Sequence, residues 1–296
     1  MRPVYYRNGN YQVTINSQGV KTRKLDKGET EWKPDRLENI DLCISRKCRF
    51  GCPMCYNDST PDGPVADYEN IASILNQVPE GTEVAIGGGA LTDCWNTLLV
   101  NVLNFCKTRK LIANITLKQE EFEEKFAAVK HIQQEGLAYG VGVSIVNPTT
   151  RLLGMLTDID YAVAHCIVGW HDRETIWKLR GVPVLLLGFK QMGRAKDKEL
   201  DAKIADFREW FWDNFKQFYR VGFDNLSLKQ LEVRRHLDKE QFDKAYLGED
   251  GTGFNCYIDA MTSMVWRSSL LQGNGYSLKE MSLGEAVDKI KKEQRC

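Results

Sequence analysis

Cys48, Cys52 and Cys55 place three of the chain's nine cysteines within eight positions, in the stretch CRFGCPMC. Thiolates this close together bind metal, and two kinds of metal chemistry suit them. A structural zinc takes four ligands, usually from two separated Cys-x-x-Cys pairs. Here one group is spaced by three residues and then two, and no second pair follows. Cys43, upstream on the preceding apolar run, becomes a fourth ligand only if the chain bends back. Iron–sulfur clusters are also held by closely spaced thiolates. Three thiolates from one loop grip three corners of a four-iron cube and leave the fourth corner open to a substrate or cofactor.

A loop with that task needs a rigid element to present it. The run IDLCIS, 40–45, leads directly into the cysteines and reads as a strand. Further strand-like runs are EVAIGG (83–88), NITLK (114–118), GVGVSI (140–145), AVAHCIVG (162–169) and VPVLLLGF (182–189). Helical patterns lie between them near 67–77, 94–109, 120–134, 149–156 and 172–180, and a long one follows at 197–219. Strands that alternate with helices imply a parallel sheet, because parallel neighbours need crossover connections. Six such steps fall short of a closed eight-unit barrel, so a partial barrel and an open doubly wound sheet both fit. In either case chemistry belongs at the carboxyl ends of the strands, where the cysteines stand.

The flanks differ in character. Over residues 1–38 a β-meander is expected: VYYR, an Asn8-Gly9 turn, NYQVTI, a second turn at NSQG, then VKTRKL and a linker, DKGETEWKPD. Beyond the core of 39–220, residues 221–296 read as an α+β extension placed to cover a pocket. It comprises a strand at 225–231, a short helix in DKEQFDKAYLG, two strands within 254–269 and a closing amphipathic helix, SLGEAVDKIKKEQ. Acidic and basic residues balance at forty each, which argues against a duplex-DNA binder. The strongest apolar run is too short to span a bilayer, and the first twenty residues lack a secretory apolar run. The chain therefore reads as cytoplasmic, with reduced thiols. The scattered Cys94, Cys106, Cys166, Cys256 and Cys296 show no paired spacing.

Cys-x3-Cys-x2-Cys after the first strand of an α/β series resembles the radical S-adenosylmethionine superfamily. The resemblance implies a partial (β/α)6 TIM-like barrel, with a [4Fe-4S] cluster on Cys48, Cys52 and Cys55 and S-adenosylmethionine chelated at the fourth iron. An aromatic residue commonly precedes the last cysteine; here Met54 holds that place and Tyr56 follows. The run Gly87, Gly88, Gly89 stands where the family commonly has Gly-Gly-Glu against the methionine amino group, and Asp93 is the nearest replacement for the acid. Ser144 and Asn147 fall where ribose or the methionine carboxylate is contacted. Ile167 and Val168 fall where adenine packs.

Arg194, in KQMGRAKD after the sixth strand, is expected to clamp a carboxylate or phosphate. Lys118, ending the third strand, is expected at the substrate. Cys256 is placed as a hydrogen-atom donor. The implied activity is reductive cleavage of S-adenosylmethionine to a 5′-deoxyadenosyl radical that takes hydrogen from a substrate. An electron donor such as flavodoxin or ferredoxin would supply the electron. A peptide or protein side chain is the favoured substrate, with nucleoside, nucleotide, RNA base or small metabolite as alternatives. A non-catalytic zinc- or cluster-binding protein is the reading from another class.

Overall fold

The structure, a computed structural model, describes residues 3–16, 21–240, 242, 246, 248–250, 252 and 254–293. A three-stranded antiparallel meander opens the chain: β1 (Val4–Asn8), β2 (Tyr11–Ile15) and β3 (Lys21–Leu25), in that order across the sheet. The first turn is Gly9-Asn10, one residue later than expected, because Asn8 pairs with Tyr11 and is buried. Gly9 sits at φ +54, and a side chain there would run into the Lys33 carbonyl. The turn expected at NSQG lies largely outside the described residues. The stretch read as a linker is packed, with Trp32 edge-on to Tyr11 at 5.0 Å. The meander is tied to the core by Glu38, which is 1% exposed and accepts bonds from Arg23 Nε at 3.0 Å and Nη2 at 2.7 Å.

Glu38 leads directly into the large sheet. Seven parallel strands follow in chain order: β4 (Asn39–Ser45), β5 (Glu83–Gly88), β6 (Ile112–Lys118), β7 (Gly140–Ser144), β8 (Ala162–Ile167), β9 (Pro183–Leu187) and β10 (Arg220–Phe223). On the other side of β4 lie β11 (Asn255–Asp259), also parallel, then β12 (Met264–Trp266) and β13 (Tyr276–Ser277), antiparallel. The sheet does not close, since β10 and β13 are its two ends. Helices α1 (Tyr68–Asn76), α2 (Val100–Thr108), α3 (Gln119–Gln134), α4 (Thr150–Thr157), α5 (Arg173–Lys178) and α6 (Asp201–Asn214) connect the parallel strands. The tail contributes α7 (Asn225–Gln230), α8 (Val233–His236) and the closing α9 (Leu283–Glu293). Among the described residues, no helix is long and apolar enough to cross a membrane.

Two assignments move. The strand expected at 225–231 is helix α7, because Asp224 caps it, accepting from the Ser227 and Gly188 backbone N–H groups. The seventh parallel strand, β10, instead comes directly before that cap. The strand at the start of the tail hairpin, β11, also pairs with β4, so the sheet runs across the boundary expected at 220. Most of DKEQFDKAYLG lies outside the described residues.

Burial distinguishes the two architectures that the sequence left open. In β5, β6, β8 and β9 buried and partly exposed residues alternate. Ile40, Leu42, Ile44, Val84, Ile86 and Ile115 are at most 1% exposed, whereas Ala85, Asn114, Thr116, His165 and Leu185 retain access. A doubly wound sheet buries both faces under helices. Here the helices cover one face, and the other is the open inner face of a partial barrel.

Candidate functional site

The chain leaves β4 at Ser45 and makes a long loop before α1. Backbone bonds close its stem: Arg46 N–H to Pro64 O at 2.8 Å, Cys48 N–H to Thr60 O at 2.7 Å and Ala66 N–H to Ile44 O at 2.9 Å. Cys48, Cys52 and Cys55 lie on this loop and are partly exposed, while Cys43, Cys94, Cys106, Cys166 and Cys256 are buried; none of these eight is bridged. Burial raises the Cys52 thiol above the ordinary range, Lys118 opposes that, and Cys48 and Cys55 add to it.

Among the described residues, no three His, Cys, Asp or Glu side chains converge on a point that one metal ion would occupy. A single zinc needs every thiolate about 2.3 Å from one centre. In an iron–sulfur cluster each thiolate binds its own iron, so the sulfurs stay further apart. Three partly exposed, unbridged thiols on one braced loop are donors of the kind such a cluster takes.

The bracing comes from three other strand ends. After β5, Gly89 N–H bonds Ser45 O at 2.6 Å and Ala90 N–H bonds Lys47 O at 2.8 Å. Gly88, at φ +130, and Gly89 lie so close to this stem that side chains would strike the Ser45 and Lys47 carbonyls, whereas Gly87 has open space before it. Asp93 pairs with Arg49 at 2.8 Å, and Arg49 also reaches Glu124 at 2.6 Å. After β6, Lys118 Nζ lies 4.3 Å from the Phe50 ring centroid and pairs with Glu120 at 2.8 Å. After β9, Gly193 at φ +56 abuts the loop, where an added Cβ would come 2.5 Å from Tyr56 O. Arg194 then donates from its backbone to Cys55 O at 3.0 Å, from Nε to Cys52 O at 2.8 Å and from Nη1 to Ser59 O at 2.8 Å. Expected at a ligand's anion, Arg194 directs these donors at the cysteine loop itself.

Other expected residues divide between the two faces. Register sets Lys118, Ser144 and His165 side by side on the inner face. The His165 ring fills the space before Gly142, and burial lowers its pKa to about 4, so it is neutral near pH 7. Ile167 lies beside Leu187, again on the inner face. Val168 is fully buried in the helix-side core. Cys256 pairs with Ile40 and shares that core, opposite to where a hydrogen-atom donor is needed. Asn147 is exposed, its backbone held by Gln119. Met54 packs partly buried against the core.

Several residues around these strand ends went unremarked or unplaced in the sequence. Cys43 faces inward beside Gly87, and its sulfur lies 3.7 Å from Ser45 O and 3.9 Å from Asn57 Nδ2. Lys190 Nζ lies 4.0 Å from the Tyr56 ring centroid and bonds Ser269 Oγ at 2.6 Å. Burial lowers its pKa, against the opposing charges of Asp224, Asp41 and Asp250. His171 joins the ends of β7 and β8, its Nδ1 accepting from Ile167 N–H at 2.8 Å and its Nε2 lying 2.8 Å from Ile145 O. Lys190 and His171 did carry a signal, since Lys190 directly follows a predicted strand and His171 stands two residues after another. Tyr257 carried none, because its place depends on β11 pairing with β4.

Three solved structures resemble this arrangement. The Streptococcus suis protein SuiB bound to its precursor peptide SuiA superposes with a TM-score of 0.62 at 14% identity, covering 88% of this chain and 67% of that one. SuiB bound to S-adenosylmethionine gives 0.60 at 15% identity, over 88% and 68%. The protein anSMEcpe with bound AdoMet gives 0.58 at 11% identity, over 86% and 82%. The chain has their fold. No protein-family model and no curated protein matches its sequence.

Proposed function

We propose that this chain is a radical S-adenosylmethionine enzyme acting on a peptide or protein side chain. The observation that carries the reading is the cysteine loop: three unbridged, partly exposed thiols at the carboxyl end of β4, braced from β5, β6 and β9 and bordering the open inner face. The fold shared with two proteins solved with S-adenosylmethionine supports it. SuiB was solved with a precursor peptide, which supports a peptide as substrate.

Cys48, Cys52 and Cys55 would hold a [4Fe-4S] cluster. When bound, that group supplies the electron, drawn from a flavodoxin- or ferredoxin-type donor, that splits S-adenosylmethionine into methionine and a 5′-deoxyadenosyl radical. The chain's own residues do the rest. Gly87 leaves room for a ligand to approach the backbone. Ser144 and neutral His165 offer polar contacts on the inner face without adding charge. Asp41, Tyr56, Lys190 and Tyr257 form buried polar walls that would orient a substrate while the apolar strands exclude water.

Anaerobic reconstitution with iron and sulfide tests the proposal. Bound iron and sulfide with charge-transfer absorption, lost in Cys52→Ala, together with 5′-deoxyadenosine on reduction, is the expected result. Tetrahedral zinc without iron overturns it. Deuterium passing from a labelled peptide into 5′-deoxyadenosine would identify the substrate.

A further inference from the structure

The sheet ends at β10 and does not close onto β11, and a cavity of about 490 Å³ spans the opening. Gly222 and Phe223 of β10 line it together with Asn39 and Asn255, the first residues of β4 and β11. Gly222 pairs with Leu185 and Asn255 with Asn39, so the inner faces of three strands contribute. The cavity is thus the floor of the barrel, at the amino ends of β4 and β11, whereas the cysteine loop leaves the carboxyl end of β4. Its volume falls in the range of sites that bind small molecules or a few residues of a chain.

Phe223, Leu228, Phe242 and Phe254 give the lining a large apolar surface. The polar part is uncharged in effect, because Lys21 and Arg23 are both paired with Glu38. Asn225 and Asn255 each direct Nδ2 to Asp250 Oδ1, at 2.6 and 3.3 Å, and Asn39 directs its own to Asp41 Oδ1 at 3.3 Å. That leaves the three amide oxygens as acceptors. Thr252 lines the same cavity, and its hydroxyl is buried with no hydrogen-bond partner among the described residues. A buried hydroxyl left unpaired costs stability, and a ligand carrying a polar group beside an apolar one would pair it. A peptide has both, a side chain for the apolar surface and backbone N–H groups for the acceptors. The sheet's terminal strand also offers an edge to an extended chain.

We propose that this cavity anchors the peptide substrate by one large apolar side chain, some distance from the side chain that is modified. The inference rests on the peptide reading above. Asn39, Asp41 and Cys43 follow one another up the inner face of β4, and Cys43 stands beside Gly87. At about 3.3 Å per residue the floor lies about 13 Å below that level, so an extended substrate carries its anchor about four residues from the modified position.

The experiment irradiates the anaerobically reconstituted full chain with N-acetyl-p-benzoylphenylalanine amide, without reductant, and maps the cross-links by mass spectrometry. Labels should fall within 221–228 and 254–255. N-acetylphenylalanine amide should compete about tenfold better than N-acetylalanine amide, as burial of the ring requires. Thr252→Val should weaken that competition about fivefold, the loss of one hydrogen bond, while labelling by methylbenzophenone, which has no amide, stays unchanged. Leu228→Trp, which fills the cavity, should remove the labels. Cross-links elsewhere, equal competition by the alanine amide, or unaltered competition in Thr252→Val overturns the anchor. Spacing is read with a peptide of p-benzoylphenylalanine flanked on each side by six alanines, cross-linked and then reduced with S-adenosylmethionine present. With one alanine perdeuterated at a time, deuterium should enter 5′-deoxyadenosine from a position about four residues from the anchor. Formation of 5′-deoxyadenosine with deuterium from no position overturns the anchor, whereas absence of 5′-deoxyadenosine overturns the radical reading, and the cross-link map is independent of either.

Discussion

Replacing Arg194 by alanine should loosen the grip on the metal without unfolding the protein. Two charged side-chain bonds, each 2.8 Å long, run from its guanidinium to Cys52 O and Ser59 O on the cysteine loop. A hydrogen bond to a charged group contributes about 1.5–3 kcal/mol. The side chain is only half-buried, so water can replace part of each bond and the lower figure applies. Together the two bonds hold the loop by about 3 kcal/mol, or about 100-fold in the equilibrium between closed and open loop. The backbone bond from Arg194 to Cys55 survives the substitution. The assay is loss of iron from the reconstituted protein to a chelator under anaerobic conditions. Loss that follows the open-loop population should be about 100-fold faster in Arg194→Ala. In Arg194→Lys one ammonium cannot span both carbonyls, so the increase should be about tenfold. The melting temperature of the metal-free chain should barely move, because the loop lies outside the core. Chelator resistance equal to wild type in Arg194→Ala would refute the clamp.

Alanine at Cys48 or Cys55 should abolish iron retention as fully as at Cys52, while Cys106→Ala, buried under the helices, should retain iron and lose thermal stability instead. Gly193→Ala should destabilise the loop by about 1–3 kcal/mol, since it combines a positive φ with a 2.5 Å approach to Tyr56 O; Gly181→Ala, with nothing within 4 Å, is the harmless control, and iron content compares the two. Burial alone pushes the Glu38 carboxyl up, but Arg23, Lys21 and Tyr11 overcome it and leave the pKa below the usual 4.5. Its stabilisation is therefore full above the unfolded value and lost as pH falls through the folded one; Glu38→Ala, which strands Arg23 in a buried site, should lower unfolding free energy by about 3 kcal/mol in urea titrations at pH 7. His165, lowered from 6.5 to about 4, takes up its proton first in the unfolded chain. Stability should thus decline as pH drops through that window, and a melting temperature with the same pH slope in His165→Gln would contradict it.

Local signals carried far along this chain. Cys-x3-Cys-x2-Cys is legible because three ligands from one loop are neighbours in sequence as well as in space. The six predicted strands are present because each is a short β-branched run bounded by turn residues, and amphipathic helices separate them. The Asp224 cap was legible too, but the leucines after it read as a strand, and only the N–H groups of Ser227 and Gly188 converging on that carboxylate show a helix.

What the sequence could not decide depends on partners remote along the chain. Parallel strands with helical crossovers fit two architectures, and the choice appears only in which face the helices cover. The side on which Cys43, Cys256 and Tyr257 fall depends on the register of β11 against β4, over two hundred residues apart, and a one-residue slip would exchange the faces. Arg194 had the chemistry for an anion, yet the folded chain brings two carbonyls of the cysteine loop within 2.8 Å of it. The residue types fixed what chemistry was available, and tertiary packing decided which groups were left to perform it.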